Sequence, residues 1–476
     1  MFSRNLINDD NQALTKSRQI VDFAISTYLA SGIPRNVLNM AVLAIIDQYG
    51  LQVGGSQFPW SQSIYRFAQR HERTLGNSSI TRYGDLVSPS QAAFINGCFA
   101  HAQDFDDSHQ EAQTHPGSVV IPAAIAIGEH LGSSGKLVLK AIIIGMEIML
   151  RLAHSMCPSC IEGGHHTPPT VGQFGAAIAC GLLLGLNKEQ LINALGICGS
   201  YAGGLVEYTV SGGSVKRIHT GIAARNGLEA ALLAKEGLTG PHTIIEGKKG
   251  MWAVFGKSKF FPERLLDKIG QKYMLATLMF KPYNCCYLIH PAIQLFLEMC
   301  HAHNITHHDI ETVTVGMSDF SVSHAGTITI PKDELGAQFS TSFTLALSLI
   351  NGVPSIRSYT AAVLHDSEII NLAKRILVVK DETANNEFPE KNGCIISIMI
   401  KNGTKFTNRI TDPKGSPKNL LTEQDVESKF FNNVEATLEK GDALILYDQL
   451  KRINRINNIS EIGNFFRVNQ KVAAKL

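Results

Sequence analysis

The stretch CIISIMIKNGTKFTNRI, from Cys394 to Ile410, is the part of the chain that decides the fold class. Two runs rich in β-branched and aromatic residues flank the pair Asn402-Gly403. This pair suits a type I′ turn, because both residues tolerate positive φ. The stretch therefore predicts a β-hairpin, and with it a sheet, in the later part of the sequence.

The segments before the hairpin extend this sheet-containing region. DIETVTVGMSDF (residues 309–320) alternates between apolar and polar residues and predicts a strand, and GAQFSTSFTLALSLING (Gly336–Gly352) predicts a helix. The character of the chain changes after about residue 278, and the polar loop TDPKGSPKN follows the hairpin. We therefore predict an α+β domain over residues 278–417.

The rest of the chain is patterned as helix. Segments such as SVVIPAAIAIGEHL, GQFGAAIACGLLLGL and LTEQDVESKFFNNV carry apolar residues at helical spacing, and hardly any strand pattern precedes residue 275. Frequent alanine and glycine on these helices permit close helix–helix approach. The predicted fold is mainly α with an α+β insertion: a large all-helical domain built from both chain ends (residues 1–277 and 418–476) plus a smaller α+β lid domain.

Composition and charge exclude several classes of partner. A net charge of +2, with Lys and Arg dispersed, predicts no nucleic-acid partner and favours a small molecule. The most apolar run, KLVLKAIIIGMEIMLRLA (Lys136–Ala153), contains Lys140, Glu147 and Arg151, so it predicts a buried helix and no membrane span. Nine cysteines, an odd number, favour free thiols in a reducing compartment, and the N-terminal MFSRNLINDDNQ lacks a targeting pattern. We expect a cytoplasmic protein.

The stretch HAQDFDDSHQEAQTHPGS (His101–Ser118) concentrates acids and histidines. On a continuous helix, four polar residues would share one face: Asp104, Ser108, Glu111 and His115. Asp106 and Asp107 would point elsewhere. Such a face suits acid/base chemistry, and a solvated helix end is the alternative. No metal site is predicted, because the EF-hand spacing and the H-E-x-x-H pattern are both missing.

A second candidate lies in CPSCIEGGHHTPPT (Cys157–Thr170). Its C-x-x-C pair, Cys157 and Cys160, lacks the second ligand pair of a zinc site and is interpreted as structural. Glycines before the histidines and prolines after them predict a loop with a fixed path. His166 is therefore a candidate site residue, with a plain surface histidine as the alternative.

Two further stretches carry candidate chemistry. SGGSVKRIHTG places a glycine-rich turn before Lys216, Arg217 and His219, which favours a carboxylate or phosphate site over a helix start with exposed cations. In KPYNCCYLIHPAI, Cys286 and its neighbouring cysteine lie close to His290, so a Cys–His nucleophile is an open alternative.

Six stretches, taken in order, resemble the MmgE/PrpD family: AAFINGCFAHAQDFDD, THPGSVVIPAA, PPTVGQFGAA, VKRIHTGIAARNGLEAALLAKEGLTGP, KPYNCCYLIHPAI and AQFSTSFTLALSLINGV. The resemblance covers nearly the whole chain, from about residue 15 to 465. It implies a helical domain formed by both chain ends, an α+β lid domain and usually a homodimer. It also implies a site between the domains whose chemistry uses no metal and no organic cofactor.

The resemblance implies roles for individual residues. The positions that match the family's catalytic residues are Asp104, His115, His166 and Lys216. Lys216 corresponds to the lysine that binds a substrate carboxylate, with Arg217 or His219 assisting. Ser108 stands where decarboxylases have Thr or another residue. Cys286 stands where the animal-type decarboxylase has a histidine, which makes this junction more similar to fungal-type enzymes.

The family includes cis-aconitate decarboxylases, 2-methylcitrate dehydratases and an iminodisuccinate epimerase. The resemblance therefore implies a lyase that acts on a small di- or tricarboxylate, and the specific expectation is cis-aconitate decarboxylation to itaconate. A hydro-lyase of the 2-methylcitrate dehydratase type and an epimerase of an imino-dicarboxylate are the enzymatic alternatives. A carboxylate-binding protein that has lost catalysis is the non-enzymatic alternative.

Overall fold

The computed structural model of the chain describes residues 15–30, 32–72, 74–257 and 259–473. The N-terminal stretch on which the localisation prediction depends lies outside these residues. The described chain is mainly helical, as the sequence predicts. Its helices pack into a larger region, which contains helices from before residue 280 and after residue 420, and a smaller region that also contains the four-stranded sheet.

Helices dominate the chain up to residue 280. The helices of this part are α1 (Lys16–Leu29), α2 (Arg35–Gly55), α3 (Pro59–His71), α4 (Pro89–Ala100), α5 (Gly117–Leu131), α6 (Gly135–His154), α7 (Ser159–Glu162), α8 (Thr167–Leu183), α9 (Lys188–Cys198), α10 (Tyr208–Ser211), α11 (His219–Lys235) and α12 (Pro262–Leu266). Strand β1 (Ser78–Ser79) pairs antiparallel with β2 (Leu86–Val87). Among the residues described before 280, only these two short strands occur, which confirms the predicted scarcity of strand.

The helices of the larger region pack closely. α8 packs against α6 and α11, and α11 packs against α4. A Cβ atom on Gly145 of α6 would lie 2.6 Å from the carbonyl oxygen of Gly175 on α8, so neither position has room for a side chain. Since the backbones are nearly in contact, this pair confirms that glycine permits close helix–helix approach.

The apolar run within α6 is a buried helix, as predicted. Its charges are satisfied inside the protein, because Arg151 Nε donates to Glu147 Oε1 at 2.7 Å. Of the described helices, α2 is the one long and apolar enough to cross a membrane by length and composition, and 72% of its apolar window is buried. Asp47 of α2 forms a buried ion pair with Lys429 at 2.8 Å, so this helix packs inside the protein.

The smaller region follows residue 280. Its helices are α13 (His290–Ala302), α14 (Asp319–Ala325), α15 (Glu334–Gln338), α16 (Thr341–Asn351), α17 (Ala361–Leu364), α18 (Ser367–Ala373) and α19 (Glu382–Glu387). Its strands are β3 (Ile310–Met317), β4 (Ile376–Lys380), β5 (Cys394–Ile400) and β6 (Lys405–Ile410). The sheet order is β4-β3-β5-β6; β3 and β4 are parallel, and the other pairs are antiparallel.

The predicted hairpin is confirmed as β5–β6, but the predicted type I′ turn is wrong. The amide of Ile400 donates to the Thr404 carbonyl, so the loop has three residues, 401–403. Within it only Gly403 has positive φ, at 86°. This is the pattern of a turn followed by one left-handed residue, which three-residue hairpins use. The predicted helix over Gly336–Gly352 is interrupted at residues 339–340, where Ser340 caps α16.

Two separate groups of buried apolar residues follow this division. The larger contains Ile20 and Phe99 and also Phe430 and Ile462, so residues from both chain ends share it. Helices α20 (Glu423–Val434), α21 (Lys440–Lys451) and α22 (Ser460–Ala473) form its C-terminal part. The smaller group lies around the four-stranded sheet. The exact boundaries at residues 277/278 and 417/418 stay a prediction.

A buried carboxyl in the larger region makes stability depend on pH. Burial raises the pKa of Glu129 to about 7, against hydrogen bonds from Ser79. The folded protein therefore binds more protons than the unfolded chain between about pH 4.5 and 7, and stability falls as pH rises through that window. We expect Glu129→Gln to raise Tm at about pH 8 by about 2–4 °C and to flatten the dependence of Tm on pH. A lower Tm at pH 8 would contradict this account.

Candidate active site

A cavity of about 140 Å³ lies where the two regions meet. One side of it is polar and comes from the larger region and the junction: Asp104, Ser108, His115, His166, Lys216 and Lys281. The other side is mostly apolar and comes from the smaller region: Cys286, Leu288, Phe320, Phe339 and Phe388. The cavity therefore combines charged groups with walls that exclude water.

The loop that carries the first acidic stretch is not a helix, so the predicted helical face is wrong. α4 ends at Ala100, and Asp104 has φ 52°, a left-handed conformation that a continuing helix forbids. Asp and Ser side chains compete for backbone hydrogen bonds, which favours such turns over helix. Glu111, expected on the functional face, is exposed. Asp104, Ser108 and His115 nevertheless line one cavity.

Two lysines converge on Asp104. Lys216 Nζ donates to Asp104 Oδ1 at 2.6 Å, and Lys281 Nζ lies 3.2 Å from the same oxygen and donates to the Asp104 carbonyl at 2.6 Å. All three residues are at least 98% buried. Lys281 is not among the site residues that the sequence predicts. It could have been predicted from its position within the largely apolar run LMFKPYNCCYLI, because a buried lysine needs a charged or polar partner.

The charges of this group are mutually stabilising. Burial alone would raise the pKa of Asp104, but the ammonium groups of Lys216 and Lys281 hold it well below its usual range. Burial lowers the pKa of Lys216 despite the opposing effect of Asp104. For Lys281 the carboxylates of Asp104 and Asp106 outweigh burial and raise the pKa. Of the two ammonium groups, that of Lys216 is therefore the one that more readily gives up a proton.

His115 is held in a defined tautomer. Its Nδ1 donates to the Asp107 carbonyl at 2.7 Å, so the proton of the neutral ring is on Nδ1. Nε2, which lies 3.9 Å from Asp104 Oδ1, then carries a lone pair. Burial lowers the pKa of His115, although Asp106 opposes the shift. At neutral pH this histidine is consequently a base in the resting site.

His166 lies at the start of α8 and contacts a second histidine. Its Nδ1 is 2.9 Å from Nδ1 of His219, so one ring donates this hydrogen bond and the other accepts it. Burial lowers the pKa of His166 well below its usual value and that of His219 to about 4, so both rings are neutral near pH 7. His166 lines the cavity, whereas His219 does not line it and contacts His166.

Arg217 does not line this cavity. Its Nη2 donates to Gln338 Oε1 at 2.9 Å, and its guanidinium lies over the ring of Trp60. Gln338 in turn donates to Gln103 and Asn284, so Arg217 belongs to a polar network between the two regions. Arg217 is therefore not placed to contact a substrate in this cavity, although the sequence predicts that it does. The neighbouring Lys216 does border the cavity.

Cys286 lines the cavity as a neutral thiol. Burial raises its pKa to about 11, and Asp104 adds to this shift. His290 contacts the carbonyl of Cys285 at 3.4 Å and does not border the cavity, so His290 is not placed to act as the base of a Cys–His nucleophile. Cys157 and Cys160 are buried free cysteines, in agreement with their interpretation as structural.

Two family models match this chain. The MmgE/PrpD N-terminal domain matches residues 18–263, and the MmgE/PrpD C-terminal domain matches residues 283–451. The chain belongs to the MmgE/PrpD family. The family resemblance inferred from the six sequence stretches is thereby confirmed.

Curated relatives match this MmgE/PrpD chain over most of its length. A protein named cis-aconitate decarboxylase from Aspergillus terreus is 27% identical over 95% of the chain and 96% of the relative. Proteins of the same name from Mus musculus and Homo sapiens are each 26% identical, over 92% and 90% of the chain and 90% of each relative.

Among the described residues of this MmgE/PrpD protein, one cluster of side chains is of the types that bind metal ions. It consists of His101, Asp104, Asp106 and His115. Their ligand atoms lie within 4.8 Å of one another. However, Asp104 already accepts from Lys216, and His101 Nε2 lies 3.1 Å from the same ammonium. A divalent cation here would adjoin two ammonium groups, so the donor set fits an internal ion-pair network better than a metal.

Proposed function

We propose that this protein is a lyase that decarboxylates cis-aconitate to itaconate without a metal or organic cofactor, as a cytoplasmic homodimer. The observation that carries the proposal is the cavity of this MmgE/PrpD chain, where two lysines converge on Asp104 beside two neutral histidines. The full-length similarity to proteins named cis-aconitate decarboxylase supports this choice of substrate and reaction.

In this proposal both lysines face the substrate, and Lys281 holds one of its carboxylates throughout the reaction. Lys216 and Lys281 are buried ammonium groups, and charge-assisted hydrogen bonds to carboxylates are strong in such surroundings. The Ser108 hydroxyl borders the same space and donates to a substrate oxygen. The apolar wall of phenylalanines excludes water from the carboxylate that is lost, which favours release of neutral carbon dioxide.

The reaction breaks one carbon–carbon bond and forms one carbon–hydrogen bond. The electron pair of the broken carbon–carbon bond remains on the substrate as an allylic carbanion, which is stabilised by the adjacent ammonium groups. The double bond shifts towards the carbon that lost the carboxylate, and the far allylic carbon is the one to be protonated. A proton then reaches the carbanion. His115 and His166 are the donors that the family resemblance implies, and both border the cavity as neutral rings in the resting protein.

A hydro-lyase activity of the 2-methylcitrate dehydratase type is the second candidate. The lone pair on His115 Nε2 favours it, because dehydration begins with removal of a proton next to a carboxylate. In this cavity, dehydration thus needs a base that removes a proton from a substrate carbon, whereas decarboxylation needs an acid that adds one.

The experiment is a substrate screen by mass spectrometry with chelator present. We expect carbon dioxide and itaconate from cis-aconitate, with kcat/KM at least about 10⁴ M⁻¹s⁻¹. Preferred turnover of 2-methylcitrate would replace the proposal with the hydro-lyase. Turnover of an imino-dicarboxylate would replace it with the epimerase. Thermal stabilisation by a substrate without any turnover would indicate a binding protein.

A further inference from the structure

A chain of three buried side chains lies beneath the cavity and ends at Lys216. His101 Nδ1 is 2.9 Å from both carboxylate oxygens of Asp106, and His101 Nε2 is 3.1 Å from Lys216 Nζ. His101 and Asp106 have no exposed surface. Neither residue lines the cavity, so neither is explained by direct contact with substrate.

The carboxylate of Asp106 decides where the proton of His101 lies. An ionised carboxylate only accepts hydrogen bonds, so the proton of the ring is on Nδ1. Ser118 also donates to Asp106, at 2.7 Å, and fixes its orientation. Nε2 of His101 therefore carries a lone pair, and it accepts a hydrogen bond from the Lys216 ammonium.

This arrangement accounts for two of the three N–H groups of Lys216. One donates to Asp104 Oδ1 at 2.6 Å and one to His101 Nε2 at 3.1 Å. The remaining N–H is left for the cavity that Lys216 lines. We propose that Lys216 is the proton donor of the reaction and that Asp106 and His101 are positioning residues that direct its remaining N–H towards the substrate.

The proposal rests on the proposed decarboxylation and completes its proton balance. When the carbon–carboxylate bond breaks, carbon dioxide leaves and the electron pair of that bond is delocalised over the allylic system, so the double bond shifts towards the carbon that lost the carboxylate. The Lys216 ammonium transfers one proton to the far allylic carbon, which belonged to the original double bond; this forms the new carbon–hydrogen bond of itaconate and leaves a neutral amine. The amine keeps its two hydrogen bonds to Asp104 and His101. It regains a proton from water after the product has left.

The histidines of the cavity are poorer donors in the resting state. His115 and His166 are neutral near pH 7, whereas Lys216 carries its proton in a 2.6 Å contact with a carboxylate. Besides His101, the titratable or charged groups that act on Lys216 or respond to it are Asp104, Lys281, Arg217, His115, His166, His219 and Cys286. Among these, Asp104 is the one carboxylate, and it favours the charged lysine.

The kinetic test replaces Asp106 with asparagine. The amide can donate to His101 Nδ1 and force the ring proton onto Nε2, where it faces the Lys216 ammonium and disfavours its charge. We expect kcat to fall by about 10–100-fold with KM nearly unchanged. The basic limb of the kcat–pH profile should move to lower pH. His101→Gln, which keeps an acceptor oxygen, should retain more activity than His101→Phe.

The matched control is Glu129→Gln, a carboxylate-to-amide change at a buried position outside the cavity. We expect its kcat to stay within about threefold of that of the wild type, as for a change remote from the site. If Asp106→Asn lowers kcat no more than this control, or changes only KM, the proposal is overturned. If Asp106→Asn does not fold, the comparison of His101→Gln with His101→Phe decides.

A second measurement needs no substrate. In ¹⁵N-histidine spectra, the signals of His101 are identified as those that disappear in the His101→Gln variant. In the wild-type protein we expect these signals to show a protonated Nδ1 and an unprotonated Nε2. The opposite tautomer would overturn the positioning role. Absence of turnover by the wild type with every substrate would overturn the proposed function and the donor role together. Wild-type turnover with an unaffected Asp106→Asn variant would overturn this inference alone.

Discussion

Replacing Lys216 with methionine is expected to lower kcat/KM for cis-aconitate by about 10³-fold, mostly through kcat. The substitution removes a cation that contacts Asp104 at 2.6 Å and, with it, the N–H that we assign to proton transfer. The apolar side chain has a similar length, so the packing against Phe339 is largely kept. Steady-state rates of itaconate formation give kcat and KM separately.

The control for this variant is Lys140→Met. Lys140 is a partly buried lysine of α6 whose Nζ donates to the carbonyls of Tyr28 and Ala30, away from the cavity. We expect its kcat/KM to match the wild type within about twofold, since a change remote from the site leaves transition-state contacts intact. If Lys216→Met keeps a tenth or more of wild-type kcat while remaining folded by thermal denaturation, Lys216 is not central to the reaction.

Replacing Lys281 with methionine is expected to lower kcat/KM by about 10²–10³-fold, and here the larger change should be in KM. Lys281 keeps its charge more firmly than Lys216, because neighbouring carboxylates raise its pKa. It is therefore suited to hold a substrate carboxylate throughout the reaction. The variant also leaves the carbonyl of Asp104 without its donor, so Tm should fall as well.

The control for Lys281→Met is Lys272→Met, an exposed lysine nine positions earlier in the chain. We expect this control to leave KM and Tm unchanged. A Lys281→Met variant with wild-type KM and a reduced kcat would exchange the roles assigned to the two lysines. An unchanged kcat/KM would remove Lys281 from the site.

The sequence allowed the class of fold, and several residues that line the candidate site, to be predicted for identifiable reasons. Helical spacing and the hairpin around Gly403 are local signals, so the helical and sheet-containing regions could be located. The turn type was wrong, because Asn-Gly also fits a three-residue loop whose length depends on strand register. No local signal distinguishes these loops.

The site was only partly predictable, since its contacts join distant segments. Lys216 and Arg217 are adjacent cations, and only the fold shows that one borders the cavity while the other joins a polar network. Asp106 was expected to point away from the site because a helix was assumed through the acidic stretch. The left-handed Asp104 breaks that helix and lets Asp106 reach His101.

The position of Lys281 has a mechanical consequence. Phe280, just before it, belongs to the apolar core of the larger region, and Cys285, shortly after it, belongs to that of the smaller region. Its ammonium thus ties the junction of the two regions to the Asp104 carboxylate. Any rotation between the regions that moved this junction away would separate opposite charges in surroundings of low polarity, at considerable energetic cost. A substrate carboxylate that takes over part of this charge weakens the tether, so ligand binding and the freedom of the two regions to move are coupled through one side chain.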